Sequence, residues 1–387
     1  MKNFQYKNPT KILFGQGQIA NLSQEIPEDA RILMLYGGGS IKRNGVYDQI
    51  INTLKDYTLI EFSGVPANPE YEILMEAVKT IKENQLDYIL AVGGGSVIDG
   101  AKFISAATHY ESDAWDILAK KAEIKLAVPF SAVLTLPATG SEMNSGAVVS
   151  RRATKEKLSF GSPLLFPQCS VLDPTVIQSL PKKQLVNGVT DAFTHVLEQY
   201  MTYPAGGLLQ DRFSESILQT LIEVGETVVN DPNDYQAASN FMWSCTMALN
   251  GLISQGVPSD WGVHAIGHEL TALFGIDHAR TLAIVAPRYY EHCFETKKEK
   301  LAQYAERVWQ VTEGNLEQKA QQGILKTEQF FNSLGIETTL SAYTEDYNGS
   351  AEIIAERFTQ RGWLGLGEHQ AITPNDVQQI VKNTYTK

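Results

Sequence analysis

The chain has 387 residues, 43% apolar and 20% charged, with a formal net charge of −12. That length allows two domains with a sizeable core, and the acidic balance argues against nucleic acid or an anionic membrane as a main partner. No basic segment followed by an apolar run opens the chain, and no apolar stretch is long enough to span a bilayer. The three cysteines, Cys169, Cys245 and Cys293, are far apart and lack Cys-x-x-Cys spacing. They read as free packing thiols in a reducing compartment, so the expected location is the cytoplasm.

From residue 1 to about 180, short apolar runs alternate with helical patterns. Strands are expected at Lys11–Phe14, Arg31–Tyr36, Thr58–Phe62, Tyr88–Val92, Ala132–Leu136 and Cys169–Leu172. Helices are expected between them at Gln18–Leu22, Tyr47–Leu54, Tyr71–Glu83 and Val97–Thr108. This alternation predicts an α/β domain with a mainly parallel sheet.

Two of those strands run straight into glycine triplets: Gly37-Gly38-Gly39-Ser40 and Gly93-Gly94-Gly95-Ser96. A strand, a glycine loop and a helix start together make an anion site, because free N–H groups and the helix dipole favour phosphate. Neither loop is Gly-x-Gly-x-x-Gly or a Walker loop. One such loop alone also fits a tight strand-to-helix turn; two point to a bound nucleotide. The segment Thr135-Leu-Pro-Ala-Thr139-Gly-Ser-Glu142 is either a polar loop that bonds a ribose or phosphate, or a plain turn after a strand.

Asp173-Pro174 breaks the pattern, and the domain boundary is expected near residue 180. From 181 to 387 helical periodicity dominates, with helices expected at Lys183–Met201, Asp211–Val229, Tyr235–Ile253, Lys300–Val311 and Leu316–Leu334. Four residues here look like a metal cage: Asp191, His195, His264 and His278. Asp191 and His195 share a helix face at i,i+4, as do His264 and His268. Gly275 marks a helix end, so His278 is expected from the following turn. Either i,i+4 pair alone also fits an ordinary helix surface. Three neutral imidazoles and a carboxylate suit a divalent ion, Zn2+ or Fe2+.

At this point the chain resembles the iron-containing (group III) alcohol dehydrogenases almost end to end. The motifs are Lys11-Ile-Leu-Phe-Gly15, Asn68-Pro69, Gly93-Gly-Gly-Ser-Val-Ile-Asp99, Leu134-Thr-Leu-Pro-Ala-Thr-Gly-Ser-Glu142, Asp191-Ala-Phe-Thr-His195 and the His264, His268, His278 set. Tyr36-Gly37-Gly38-Gly39-Ser40 and Trp261-Gly-Val-His264 are most similar to the branch of NADPH-dependent aldehyde reductases and butanol dehydrogenases.

The resemblance implies a dehydroquinate synthase-like architecture: an N-terminal dinucleotide-binding α/β domain and an all-α, metal-binding C-terminal domain. It implies that Asp191, His195, His264 and His278 are the metal ligands and that His268 is not one. One helical turn past His264, His268 suits either a proton relay or a wall position without a proton role. Gly94, Gly95 and Ser96 are expected to cradle the pyrophosphate, and Asp99 to bond ribose or fix the loop. By resemblance Asn68, Thr135, Thr139, Asn144 and Lys157 line the cofactor groove, with other cations of Arg151–Lys157 as substitutes for Lys157. NAD-using relatives resemble one another in an aspartate just after the first strand. Here stand Gly37, Gly38, Gly39 and Ser40, with Lys42 and Arg43 beyond. That composition favours a 2′-phosphate, hence NADP(H).

The expected activity is hydride transfer between nicotinamide and a small aldehyde or primary alcohol of butanal/butanol type, in a homodimer. An NADH-linked glycerol or polyol dehydrogenase is the nearest alternative. A dehydroquinate synthase-type lyase would need a basic cluster for its substrate, and the ligand segments are short of Lys and Arg except Arg280. A non-catalytic metal-binding protein would have no use for both glycine loops.

Overall fold

The computed structural model describes residues 1–154 and 156–386. Contacts divide the chain into two compact units. One comprises Lys7–Pro181 with Pro232–Asn250; the other comprises Met1–Tyr6, Lys182–Asp231 and the chain from Gly251 on.

The first unit contains β1 (Lys11–Phe14), β2 (Arg31–Tyr36), α1 (Val46–Thr53), β3 (Thr58–Phe62), α2 (Tyr71–Asn84), β4 (Tyr88–Gly94), α3 (Gly95–Ala107), the single-turn α4 (Asp116–Ala119), β5 (Phe130–Leu136), β6 (Gly146–Arg151), β7 (Glu156–Gly161) and β8 (Cys169–Leu172). Six strands form one sheet in the order β1-β8-β5-β4-β2-β3, and every pair is parallel. β2 is buried from Ile32 to Tyr36 and β4 from Tyr88 to Gly93. Helices cover both faces of such strands, so they read as unbroken apolar runs rather than alternating ones. The chain passes outward from β2 to β3, then returns to the opposite side of β2 as β4. That reversal makes a crevice at the carboxyl ends of β2 and β4, the usual ligand position in an open α/β sheet. Both glycine triplets stand there, because Tyr36 and Val92 are paired neighbours.

β6 and β7 form a separate antiparallel pair, from Gly146 opposite Gly161 to Arg151 opposite Glu156. Its sequence signal is short: Lys157-Leu158-Ser159-Phe160 alternates polar and apolar, whereas Ala147-Val148-Val149 is an apolar block without alternation.

The remaining helices are α5 (Lys182–Tyr200), α6 (Leu208–Asn230), α7 (Tyr235–Ala248), α8 (Gly262–Phe274), α9 (His278–His292), α10 (Phe294–Arg307), α11 (Leu316–Ser333), α12 (Ser350–Gln360) and α13 (Pro374–Asn383). The expected boundary near 180 leaves the rest of the chain in one piece, whereas α7 packs with the sheet unit. Its Trp243 meets Phe14 edge to face at 5.8 Å, and its Thr246 hydroxyl bonds the buried Glu142 carboxylate. α7 also stops at Ala248, short of the expected Ile253. In the helical unit α5 is buried without interruption from Gly188 to Tyr200. Polar side chains on this helix therefore need partners inside the protein. Among the described residues no helix is long and apolar enough to cross a membrane.

Candidate functional site

α5 carries Asp191, His195 and Glu198 at i, i+4 and i+7, a single helix face. α8 supplies His264 and His268 and ends at Phe274, where Gly275 turns left-handed with φ of 68°. His278 is the first residue of α9, not part of a free turn. The interval between α8 and α9 is only Gly275–Asp277, too short for an independent loop.

These segments converge. The ligand atoms of Asp191, His195 and His264 all lie within 4.8 Å of one another, and all three residues are buried. His278 stands at the rim, with its Nε2 3.9 Å from Asp191 Oδ1 and a quarter of its side chain exposed. The His264 ring stacks on His195 at 4.6 Å and lies 5.2 Å from His278. His268 packs on His278 at 4.6 Å between ring centroids and is 6.1 Å from His264.

The donor set fits a divalent cation. Asp191 Oδ1 and His195 Nδ1 are buried without a hydrogen-bond partner among the described residues. Leaving each so costs on the order of 1–3 kcal/mol, which a bound cation would offset. Burial pulls the pKa of His195 down to about 4, so its ring is neutral near pH 7, as a ligand must be. Glu198 is fully buried. It accepts the Val263 N–H at 2.7 Å and pairs with His264 Nδ1, which fixes the ring and leaves Nε2 for the cluster. Sequence reasoning overlooks Glu198, although Asp191-x3-His195-x2-Glu198 on one face of a helix was the available signal.

In the sheet unit, α3 starts at Gly95 with no side-chain cap and no acidic residue in its first turn. Its first N–H groups are therefore open to an anion. A Cβ on Gly95 would collide with the Thr139 hydroxyl, so glycine lets the helix start close on the Thr135–Glu142 loop. Gly37 packs near the Val65 carbonyl, Gly38 has open space around it, and Gly39 is left-handed at φ +83°. Ser40 opens the single turn Ser40–Lys42.

The other expected cofactor residues divide. Asn68 Oδ1 accepts a bond from Lys157 Nζ at 3.0 Å, which brings those two together. Lys155, one of the substitutes for Lys157, lies outside the described residues. The Ser96 hydroxyl donates to the Ala67 carbonyl. Thr135 is buried, and Thr139 Oγ1 accepts the Ser141 N–H at 3.3 Å. Asp99 accepts the Ser141 hydroxyl at 2.6 Å and the Val148 N–H at 2.9 Å, bonds that fix the loop. Asn144 is engaged by Lys102, Gly146, Gly140 and Leu249.

Lys102 escapes the sequence reading. It is fully buried in α3 and donates to Ser141 Oγ at 2.8 Å, Asn144 Oδ1 at 2.8 Å and the Gly146 carbonyl at 2.7 Å. Its signal was a lysine amid the apolar run Gly95–Ala107. Lys42, expected as a 2′-phosphate cation, pairs with Glu61 at 2.9 Å. Arg43 is exposed and makes no ion pair among the described residues.

Comparison with known proteins shows the family. Residues 9–174 match the family described as iron-containing alcohol dehydrogenase, and residues 185–385 match the Fe-containing alcohol dehydrogenase family, C-terminal. The chain is 50% identical to the NADPH-dependent aldehyde reductase YqhD of Escherichia coli, over 96% of this chain and 97% of that one. It is 42% identical to the probable NADH-dependent butanol dehydrogenase 1 of Bacillus subtilis, over 99% of each. The crystal structure of Escherichia coli YqhD superposes with a TM-score of 0.97 at 48% identity, covering 99% of both chains. With both of its halves matched, the chain belongs to the iron-containing alcohol dehydrogenase family.

Proposed function

We propose that this chain is a metal-dependent, NADPH-linked aldehyde reductase that interconverts small aldehydes of the butanal class and their primary alcohols. The observation that carries the reading is the buried gathering of Asp191, His195 and His264 within 4.8 Å, with His278 beside Asp191. Relatives named as aldehyde reductase and butanol dehydrogenase support the substrate class.

Asp191, His195, His264 and His278 hold the ion. Iron(II) follows the family's name, while a set of three histidines and one aspartate also accepts zinc. When bound, the ion supplies a Lewis acid that polarises the aldehyde oxygen. NADPH, when bound, supplies the hydride. Glu198 keeps His264 oriented, and burial keeps His195 neutral. We assign His268 the transfer of a proton to the product oxygen through water, since its ring adjoins His278 outside the tight triple.

Gly94, Gly95 and Ser96 at the start of α3 receive the pyrophosphate, with Thr139, Asn68 and Lys157 around them. Thr135 and Asn144 line the same groove, and Asp99 fixes its loop. Gly37, Gly38, Gly39 and Ser40 receive the 2′-phosphate through backbone N–H groups and a hydroxyl, with Arg43 as the available cation. The reading carries with it a homodimer, as the family resemblance implies, and a cytoplasmic location, which the three free thiols support; light scattering and cell fractionation check both.

The test is metal analysis together with turnover of butanal by NADPH and NADH. The wild type is expected to bind about one ion and to prefer NADPH. His264→Ala is expected to lose metal and turnover while binding NADPH nearly as well. Near-native activity and metal content in His264→Ala would show the cage to be wrong.

A further inference from the structure

Away from the metal cluster, the helical unit buries a second charged network. Lys297 of α10 is 4% exposed. Its ammonium bonds both oxygens of Glu368 at 2.6 and 2.7 Å, Asp260 Oδ2 at 3.0 Å and the Met201 carbonyl at 2.7 Å. Asp260 accepts the Gly262 N–H at 2.8 Å and the Tyr289 hydroxyl at 3.0 Å, and its own N–H bonds the Glu198 carbonyl at 3.0 Å. Buried ion pairs add little to stability compared with apolar packing, so stability alone does not account for a network like this.

Glu368 belongs to a small hairpin between α12 and α13. Its arms close through mutual bonds of Leu366 and Ile372 at 2.9 and 3.2 Å. At its turn Gly367 has φ +79°, and a Cβ there would come 3.0 Å from the Tyr289 hydroxyl and 3.2 Å from Asp260 Oδ2. Only glycine lets the turn lie against the network in that conformation. The near arm exposes two large apolar side chains, Trp363 at 38% and Leu364 at 62%. With Ser259, Trp261, Ala265 and Leu366 they line a concave space of about 620 Å³. The Trp261 ring stands edge-on to His264 at 5.3 Å.

We propose that Glu368 is a positioning residue: held by Lys297, it pins the hairpin so that Trp363 and Leu364 wall the space taken by the aldehyde's carbon chain. The inference rests on the aldehyde reading above. The charges never touch the substrate. They set how closely the apolar wall approaches Trp261, and therefore how much each additional methylene contributes to binding. A well-buried methylene strengthens binding roughly fourfold.

The experiment compares kcat and KM for acetaldehyde and hexanal in wild type, Glu368→Ala and Glu368→Gln, with NADPH saturating. Hydrogen exchange of the Leu364–Gly367 amides is followed in the same proteins. Glu368→Ala leaves Lys297 paired with Asp260, one cation against one carboxylate. The preference for hexanal is expected to fall by about tenfold or more, through KM rather than kcat, and exchange in the hairpin to speed up. Glu368→Gln, which keeps the volume and a hydrogen-bond acceptor, is expected to fall between; it carries the test should Glu368→Ala not fold. An unmoved preference, equal losses on both aldehydes, or unchanged exchange overturns the inference while the aldehyde reading stands. A wild type inert toward both aldehydes overturns that reading and the inference together.

Discussion

Glu198 grips His264 twice: its carboxylate pairs with the ring Nδ1 and also lies 3.3 Å from the backbone N–H of the same residue. The ring can then neither rotate nor exchange its nitrogens. A carboxylate behind a ligating imidazole also raises its basicity, and losing such a partner typically weakens metal binding 10- to 100-fold. Glu198→Gln, which keeps the volume, is expected to bind metal weaker by roughly that factor. Competition with a chromogenic chelator measures it, and an unchanged affinity would confine Glu198 to a packing role.

His268 lies outside the tight triple, with its ring 4.6 Å from that of His278. His268→Ala should therefore keep its metal and lose rate by on the order of 100-fold, as for an acid–base group. Metal content and single-turnover rate decide together. Loss of bound metal would move His268 into the ligand set, and an unaltered rate would remove its proton role.

Gly38 has nothing within 4 Å of an added Cβ and no left-handed backbone, so Gly38→Asp introduces charge without strain. The nearby Lys42 is already paired with Glu61. A carboxylate beside the 2′-phosphate should cost a few kcal/mol, or on the order of a hundredfold in NADPH affinity, with NADH little changed. The ratio of kcat/KM for the two cofactors is the measurement. If it does not move, the first glycine loop is not the 2′-phosphate site.

Burial of Lys102 pulls its pKa from the ordinary 10.5 down to about 8, against the opposing charges of Asp99 and Glu142. Between those values the unfolded chain holds a proton that the folded chain has released, so folding gains as pH rises. The contribution is full above pH 10.5 and is lost as pH falls through about 8, and it amounts to on the order of 3 kcal/mol. The wild type's stability relative to Lys102→Met should rise by about that much across the window. Denaturant titrations at several pH values test this; a difference flat with pH means that Lys102 stays charged when buried.

The sequence by itself determines the parallel sheet and singles out the candidate metal ligands. Arg31–Tyr36 and Tyr88–Val92 are legible because strands covered on both faces need unbroken apolar runs, and the glycine triplets mark where those runs end. Asp191 with His195 and His264 with His268 are legible because i,i+4 spacing places two side chains on one helix face. Only the tertiary structure decides which faces meet. Glu198 and His264 are 66 residues apart, and Lys297 and Glu368 are 71 apart. α7 reads as one more helix of the second half, yet packing on Phe14 and Glu142 joins it to the sheet. Asp99 and Asn144 read as cofactor residues from the sequence, and only the folded chain shows that Lys102, Ser141 and Val148 also bond them. The physical reason is the same throughout: periodicity reports which side chains share a face, whereas a buried polar group's partner depends on which distant segment packs against that face.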